Sequence, residues 1–486
     1  MNRSTSGCWT CRIRHRKCDE FRPQCKECTD RTIKCHGYGP KPDWVSDESL
    51  LKAELTRIKV KVKHHVISKR KSNAARDGRE AREAREIQEV PPQTSRIPES
   101  NMSFRESHLL IHYLDYIFPL QFPYYVDKPQ FGGRGWLFWL LMRNGPLNQA
   151  ILTLSALHHH TTFALQADCT ERELIEYHTR ALQGLRQALC QHEADGYPAD
   201  KEQLLEFLAC GSSLISLEIF RGGTGNWQPH LNALTRVVNS MSLYSTRTPE
   251  GETVQKPGGM ENAQHFLIAC LIWYDVLACT SSSTPPKINL DIWLNRDIDL
   301  SYLMGCYNWV MIAIGEVATI SARESSDIER SLQAPSVKER LEVELKKLDL
   351  CTESPEPVAV PVSRVFATAA LVELHTVCSD LCPVGNEVRD SVERVMDAIR
   401  RIPERMSLRG LTWPICIAGS MADPDQQVFF DTMMKMVLNN SGAGFTNCNT
   451  VWRIMKQCWH HRKDFPGTPW NWRDAMASMG ICALFV

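Results

Sequence analysis

Residues 8–35 read CWTCRIRHRKCDEFRPQCKECTDRTIKC, and this stretch decides how the N-terminus of the chain folds. Its six cysteines follow the pattern C-x2-C-x6-C-x6-C-x2-C-x6-C, which is one half-motif written twice. A C-x2-C pair lets two thiolates converge on one cation, and zinc prefers four such ligands in a closed tetrahedral site. The candidate metal ligands are Cys8, Cys11, Cys18, Cys25, Cys28 and Cys35.

Six thiolates cannot close two separate tetrahedra, so two sulfurs must bridge if two metals are held. Cys8 and Cys25 occupy equivalent places in the two halves. We therefore predict two zinc ions per chain, one held by Cys8, Cys11, Cys18 and Cys25, the other by Cys25, Cys28, Cys35 and Cys8. The alternatives are three disulfides, or one zinc with two spare thiols. The N-terminus lacks a signal peptide's apolar core, which disfavours disulfides, and the repeated spacing disfavours a single zinc.

The residues between the second and third cysteines indicate what the metal module binds. They include four fixed cations, more than a cluster of two Zn²⁺ and six thiolates with a net charge of about −2 requires for compensation. On a short helix, Arg12 and Arg16 share one face, and a basic helix of this size suits the major groove of DNA. The candidate DNA-binding residues are Arg12, Arg14, His15, Arg16 and Lys17.

This stretch resembles the fungal binuclear zinc-cluster transcription factors at all six cysteines, the basic run and the loop proline, Pro23. The resemblance implies that the two zincs share ligands as assigned above, and that the short helix enters the major groove at a CGG-like triplet. It also implies a base-reading Lys at the fourth position after the second cysteine, which is His15 here. Because an arginine fork matches the guanine acceptors, we predict that Arg14, alone or with His15, discriminates bases. Arg12, Arg16 and Lys17 are expected to hold phosphates.

Charge is distributed unevenly along the chain. The 486 residues contain 56 Lys and Arg and 56 Asp and Glu, yet residues 1–71 contain 18 basic against 8 acidic residues. A basic head on an acidic body indicates nucleic-acid binding and nuclear import. We assign residues 1–40 to the zinc-cluster domain and 41–105 to a basic linker, with a short helix or coiled coil followed by a disordered tether.

The linker contains a short apolar seam. Leu51, Leu55, Ile58 and Val62 follow the 4-3-4 spacing that could pair two chains into a homodimer. The spacing lasts for less than two heptads, so a solvated basic helix explains the same residues equally well.

Residues 106–486 are predicted to form a large, layered, all-α domain, because helical apolar spacing persists and strand patterns are scarce. No apolar run reaches the roughly 18 residues that a membrane span requires. The following features locate helices and loops: a capping box at Ser336 and Glu339, a stripe from Val388 to Ile402 before Pro403, a helix start at Asp423-Pro424-Gln426, and loops at 246–260 and 351–362.

Four segments of this region resemble the fungal-specific transcription factor domain of the acriflavine sensitivity control type: HYLDYIFPLQFPYY (112–125), GGRGWLFWLL (132–141), RGLTWPICIAG (409–419) and NWRDAMASMGICALF (471–485). The resemblance implies a regulatory domain, and no nucleophile–base pair or phosphate loop indicates an enzyme. We predict a nuclear, zinc-dependent, sequence-specific transcription factor for RNA polymerase II genes. It would bind double-stranded DNA and contact the transcription machinery or co-regulators. The family resemblance implies that the regulated genes serve secondary metabolism or drug resistance. Two alternatives stay open, a zinc-stabilised adaptor that never reads DNA and an enzyme with a zinc-cluster appendage.

Overall fold

The computed structural model divides the chain into two compact units, Met1–Ser100 and Asn101–Val486. In these units the helix is the only regular element among the described residues, so the prediction of a mainly all-α fold is confirmed. The structure describes residues 6–31, 33–47, 50–52, 54–59, 61–62, 102–127, 133–162, 167–195, 201–245, 259–294, 298–322, 327–350, 358–378, 386–439 and 446–486.

The larger unit is a stack of helices around one apolar core. Its core contains the largest fully buried side chains of the described residues, Trp227, Trp413 and Trp472 among them. Its helices are Phe104–His112, continued by a π-helical turn Tyr113–Ile117 and by Phe118–Gln121, then Gly135–Leu141, Pro146–Thr162, Ala167–Asp195, Lys201–Phe220, Trp227–Ser245, Gly259–Ser282, Leu290–Leu294, Leu300–Leu303, Asn308–Ala322, Asp327–Leu350, Ala359–Cys378, Asn386–Arg400, the 3-10 turn Leu408–Leu411, Thr412–Met421, Pro424–Asn439, Cys448–Asp464 and Trp472–Ser478.

Three of these helices are long and apolar enough, by length and composition, to cross a membrane: Lys201–Phe220, Gly259–Ser282 and Ala359–Cys378. The sequence prediction of no such segment is therefore wrong. It counted uninterrupted apolar runs, whereas these windows mix apolar residues with small and hydroxyl-bearing ones. In the structure 89%, 89% and 67% of the three windows are buried inside the helical unit. A helix that is apolar on all sides is typical of the centre of a large helical core.

Two of the predicted helix signals are confirmed. The stripe from Val388 lies on the buried face of Asn386–Arg400, which ends three residues before Pro403. The helix Pro424–Asn439 begins as predicted, because the Asp423 carboxylate accepts hydrogen bonds from the amides of Asp425 and Gln426 at 3.1 and 3.0 Å. A short polar side chain before a helix satisfies amides that have no partner within it.

The predicted helix start at Ser336 is wrong. The helix runs unbroken over Asp327–Leu350, with Pro335 inside it. A proline interior to a helix removes one backbone hydrogen bond. Burial of Leu341 and the rest of this apolar face against Ala359–Cys378 offsets that loss. The loop predictions also extend too far, since residues 259–260 and 359–362 are helical, while 246–258 and 351–357 lie outside the described residues.

The closing segment NWRDAMASMGICALF is part of the core. Trp472 and Phe485 are fully buried, and the Leu484 amide donates to the Gly223 carbonyl at 2.9 Å. Gly223 has φ of +75°, and a side chain there would meet the Leu484 carbonyl oxygen at 2.6 Å. The C-terminus is therefore held where only glycine leaves room for it.

Histidines from two helices meet at one place in the larger unit. His112 Nε2 lies 3.0 Å from His158 Nδ1, and the His112 and His159 rings are 4.4 Å apart. His108 packs on His159 at 5.5 Å. Burial, followed by the neighbouring histidines, lowers the pKa of His112 and of His158 to about 4. The His112 and His158 rings are therefore neutral in the folded chain at pH 7.

We expect the helical unit to lose stability as the pH falls from about 6.5, the ordinary histidine pKa, to about 4. The unfolded chain binds these protons at the higher pH, so acid favours unfolding. The check is urea unfolding followed by helical circular dichroism at several pH values. In a double variant, His112→Gln with His158→Gln, the free energy of unfolding should fall less steeply between these pH values. The control His460→Gln, at an exposed position, should keep the slope of the unmodified chain. An unchanged slope in the double variant would contradict this prediction.

Candidate metal centre and nucleic-acid interface

The two half-motifs of the N-terminal unit fold alike. Each contains a short helix, Trp9–Ile13 or Lys26–Thr29, that follows directly on a cysteine. Cys8 and Cys25 have nearly the same extended backbone conformation, with φ and ψ of −63° and 155° and of −73° and 146°. Both cysteines thus occupy the N-cap position, and the repeat in the sequence is a repeat in structure.

The six sulfurs come together in two overlapping groups of four. The groups are Cys8, Cys11, Cys18 and Cys25, and Cys8, Cys25, Cys28 and Cys35, and within each group all the sulfurs lie within 4.8 Å of one another. The Cys8–Cys25, Cys11–Cys25 and Cys8–Cys28 sulfur pairs are 3.6, 3.7 and 3.8 Å apart. A tetrahedron with Zn–S bonds of about 2.3 Å has edges of about 3.8 Å, so these cysteines fit zinc.

Backbone amides point at the sulfurs. The Cys11 amide donates to Cys8 Sγ at 3.4 Å, and Cys18 Sγ accepts from the amides of Cys8 and Glu20 at 3.5 and 3.4 Å. Such N–H groups stabilise thiolates by hydrogen bonding to the charged form. Burial raises the pKa of the Cys11 thiol to about 12 in the absence of a cation, so zinc binding must displace protons from the cluster.

The segment 34–39 closes over the first helix. The Thr10 hydroxyl donates to the Lys34 carbonyl at 2.9 Å and accepts from the His36 amide at 3.0 Å. The Trp9 indole donates to the Gly39 carbonyl at 2.8 Å. Sequence reasoning missed Thr10 and His36, because only the fold brings residues 26 positions apart together, and no spacing rule marks them.

The basic run does not form the helix that the sequence predicts. The helix Trp9–Ile13 begins before Cys11 and ends at Ile13, so Arg12 and Arg16 do not share a helical face, and that prediction is wrong. His15 has a left-handed φ of 55°, which turns the chain, and the Arg16 amide bonds back to the Cys11 carbonyl at 2.9 Å. A single left-handed residue is a common way to end a helix.

The five predicted DNA-binding residues differ in exposure. His15, Arg16 and Lys17 are exposed. The Arg12 guanidinium lies 4.7 Å from the centre of the Trp9 ring. The Arg14 side chain is only 12% exposed, and its Nη1 lies 3.9 Å from Glu27 Oε1. The two half-motifs therefore share an ion pair, and the exposed cations of the basic run are Arg16 and Lys17.

The apolar seam of the linker lies in the same unit. Residues 50–52, 54–59 and 61–62 are helical, Ile58 is 3% exposed, and Ile58 and Val62 pack with the cysteine cluster. Glu54 Oε1 lies 3.5 Å from His36 Nε2. The start of the linker therefore extends the small core of the metal module.

Two interlocked four-sulfur sites beside exposed cations define a zinc-cluster DNA-binding module. Residues 6–44 match the fungal Zn(2)-Cys(6) binuclear cluster domain and residues 108–486 match the fungal specific transcription factor domain, and the chain belongs to this family of fungal transcription factors. It is a DNA-binding transcription regulator whose N-terminal domain binds two zinc ions, and not an enzyme. The predictions of the family, the function class and the cofactor are confirmed.

Three curated relatives match this chain over nearly their whole length. The chain is 25% identical to the pestheic acid cluster transcriptional regulator 3 of Pestalotiopsis fici, over 98% of this chain and 97% of that protein. It is 27% identical to the trichothecene biosynthesis transcription regulator TRI10 of Trichoderma arundinaceum, over 77% and 96%. It is 24% identical to the ustiloxin B cluster transcription factor ustR of Aspergillus flavus, over 100% and 99%. No solved structure matches the chain.

Proposed function

We propose that this protein acts in the nucleus as a pathway-specific regulator of a secondary-metabolite gene cluster, binding CGG-like half-sites upstream of RNA polymerase II genes. The names of the relatives, which regulate pestheic acid, trichothecene and ustiloxin B genes, support the pathway class. The basic head of residues 1–71 supports nuclear import. The helical domain, for which we propose the bounds 106–486, would contact co-regulators, and 41–105 would link it to the zinc module of residues 1–40.

The observation that carries this proposal is the juxtaposition of six clustered sulfurs with the exposed residues that follow the first helix. We assign Cys8, Cys11, Cys18 and Cys25 to one zinc and Cys8, Cys25, Cys28 and Cys35 to the other. The metals would fix the helix Trp9–Ile13 and the turn after it rigidly enough to enter a groove. A module of about 40 residues has too small an apolar core to do this unaided.

Genome-wide mapping of binding sites, combined with transcript profiling of a deletion strain, tests the function. We expect sites rich in CGG triplets beside a contiguous set of biosynthetic genes whose transcripts change on deletion. A mobility-shift titration of the full chain should show affinity that falls steeply with salt, because phosphate contacts release counterions. Absence of DNA binding in a zinc-loaded chain would favour a protein-interaction adaptor and overturn the proposal.

Within the interface, we assign base reading to His15 and phosphate contacts to Arg16 and Lys17. Arg12 and Arg14 flank them and orient the helix, Arg12 through Trp9 and Arg14 through Glu27. This revises the expectation from the sequence, which favoured Arg14. A guanidinium that is 12% exposed and next to a carboxylate has to leave that partner before it can reach a base.

His15→Ala is expected to cost about 1–3 kcal/mol at the cognate site and to collapse the cognate-to-random ratio in a competition assay. His15→Lys should keep much of the ratio, since a lysine supplies donors from the same place. Arg16→Ala should weaken cognate and random DNA alike and lower the salt slope by about one. If Arg14→Ala collapses the ratio while His15→Ala does not, the base-reading residue is Arg14.

A further inference from the structure

A cavity of about 920 Å³ opens in the helical unit, where the helix Pro424–Asn439 begins and the helix Cys448–Asp464 ends. Its volume is that of a site for a small organic molecule. Its lining contains an apolar part, a basic part, two carboxylates and several neutral polar side chains. The lining residues that matter are Met421, Pro424, Trp459, Arg462, Lys463 and Pro466.

The basic part carries charge that lacks an ion-pair partner among the residues that the structure describes. Arg462 Nη2 donates to the Ala422 carbonyl at 3.1 Å, but Nη1 is buried without a hydrogen-bond partner. Among the residues that the structure describes, no carboxylate oxygen lies within 4 Å of the Arg462 or Lys463 nitrogens. Burial lowers the pKa of Arg462, yet a guanidinium stays protonated at pH 7. A charge removed from water without a partner is costly unless something else supplies the counter-charge.

The acidic residues of the lining have other partners. Asp423 Oδ2 lies 3.1 Å from Arg389 Nη1, and its other oxygen caps the helix that begins at Pro424. Asp425 Oδ2 lies 3.9 Å from Arg389 Nη2. Arg389 therefore pairs closely with one of these carboxylates, and the lining, with three basic and two acidic side chains, keeps a net charge of +1.

The apolar part is built around one hydrogen-bonded aromatic ring. The Trp459 indole N–H donates to the Gly419 carbonyl at 2.8 Å, which fixes the ring and uses its one donor. Met421, Pro424 and Pro466 add side chains with no hydrogen-bond donor. Such an apolar surface can pack against a flat apolar group, while the charged end of the same ligand pairs with Arg462.

We propose that this cavity is an effector site for a small organic anion that combines a flat, apolar body with one carboxylate. The carboxylate pairs with Arg462, Lys463 adds attraction at the mouth, and the apolar body lies among Trp459, Met421 and the two prolines. A bound carboxylate neutralises the Arg462 guanidinium. The ligand also links the start of the helix Pro424–Asn439 to the end of the helix Cys448–Asp464. That the ligand tunes transcription rests on the proposed function, whereas its binding does not.

The test uses the full chain and two probes of one shape, 2-naphthoate and its neutral amide, 2-naphthamide. Calorimetric titration should show naphthoate binding at least tenfold more tightly than the amide. Arg462→Gln should abolish this preference and Lys463→Gln should reduce it. Arg453→Gln, which removes an exposed arginine from the same helix, should leave the preference intact. Because Lys463 is exposed, its variant keeps the test valid even if Arg462→Gln does not fold.

Three results would overturn the proposal: equal affinity for the two probes, a naphthoate preference that survives in folded Arg462→Gln, or no binding of either probe. DNA binding is measured separately on the same preparations. A chain that binds its DNA site but shows no naphthoate preference fails this inference alone. A chain that binds naphthoate but no DNA fails the proposed function alone.

Discussion

Cys25→Ser is expected to remove both zinc ions from the N-terminal module and to abolish DNA binding altogether. Its sulfur belongs to both four-sulfur groups, 3.6 Å from Cys8 and 3.7 Å from Cys11. A serine hydroxyl is a poor zinc ligand, and the module has little core to hold it together without metal. Elemental analysis of the purified full chain should give about two zinc ions for the wild type and none for the variant.

A matched substitution separates the bridging role from a general loss of fold. Cys482→Ser changes a cysteine of the helical unit and should keep both zinc ions. Cys8→Ser, at the other shared position, should behave like Cys25→Ser. One zinc ion retained at full occupancy in Cys25→Ser would show that this sulfur serves a single metal, and the shared assignment would have to be abandoned.

Arg473→Met is expected to destabilise the helical unit by about 3–5 kcal/mol, because it leaves a buried carboxylate without its charged partner. Glu373 is 1% exposed, and its two oxygens accept from the Arg473 guanidinium and from the Trp472 indole. Arg473 Nε also donates to the Thr280 carbonyl at 2.7 Å. Urea unfolding of the full chain, followed by circular dichroism, measures the loss.

The double variant Arg473→Met with Glu373→Gln tests the cause. Glutamine keeps an acceptor for Trp472 and removes the buried charge, so most of the lost stability should return. Arg340→Met, in the exposed Arg340–Glu316 pair, is the control and should cost less than about 1 kcal/mol. A small effect of Arg473→Met, or a double variant no more stable than the single one, would argue against an unpaired carboxylate as the source of the loss.

The grouping of the six sulfurs was predictable from the sequence, because ligand number and spacing constrain a tetrahedral site strongly. Both sulfur groups of the structure coincide with the two sets derived by counting. The sequence did not indicate which cations of the basic run are exposed and which are paired with a carboxylate. Whether Arg14 faces DNA or Glu27 depends on how the two half-motifs pack against each other. The spacing and type of the residues between the cysteines do not indicate that packing.

The helical unit was predictable as a class and only partly in its details. The cap at Asp423 is a local hydrogen-bond pattern, and it marks a real helix start. The similar pattern at Ser336 does not, because burial of a long apolar face outweighs the local preference of Ser and Pro. The cavity beside Trp459 and Arg462 could not be foreseen, since it is formed by helix ends that only the tertiary fold brings together.

The burial of Ile58 sets metal retention against any pairing of two chains through the predicted seam. The same side chain cannot cover its own cysteine cluster and also enter a seam with a second chain. If two chains paired through Leu51, Leu55, Ile58 and Val62, Ile58 and Val62 would have to leave the cysteine cluster of each chain. By thermodynamic reciprocity, zinc loading then opposes this mode of pairing to the same extent that pairing weakens zinc retention.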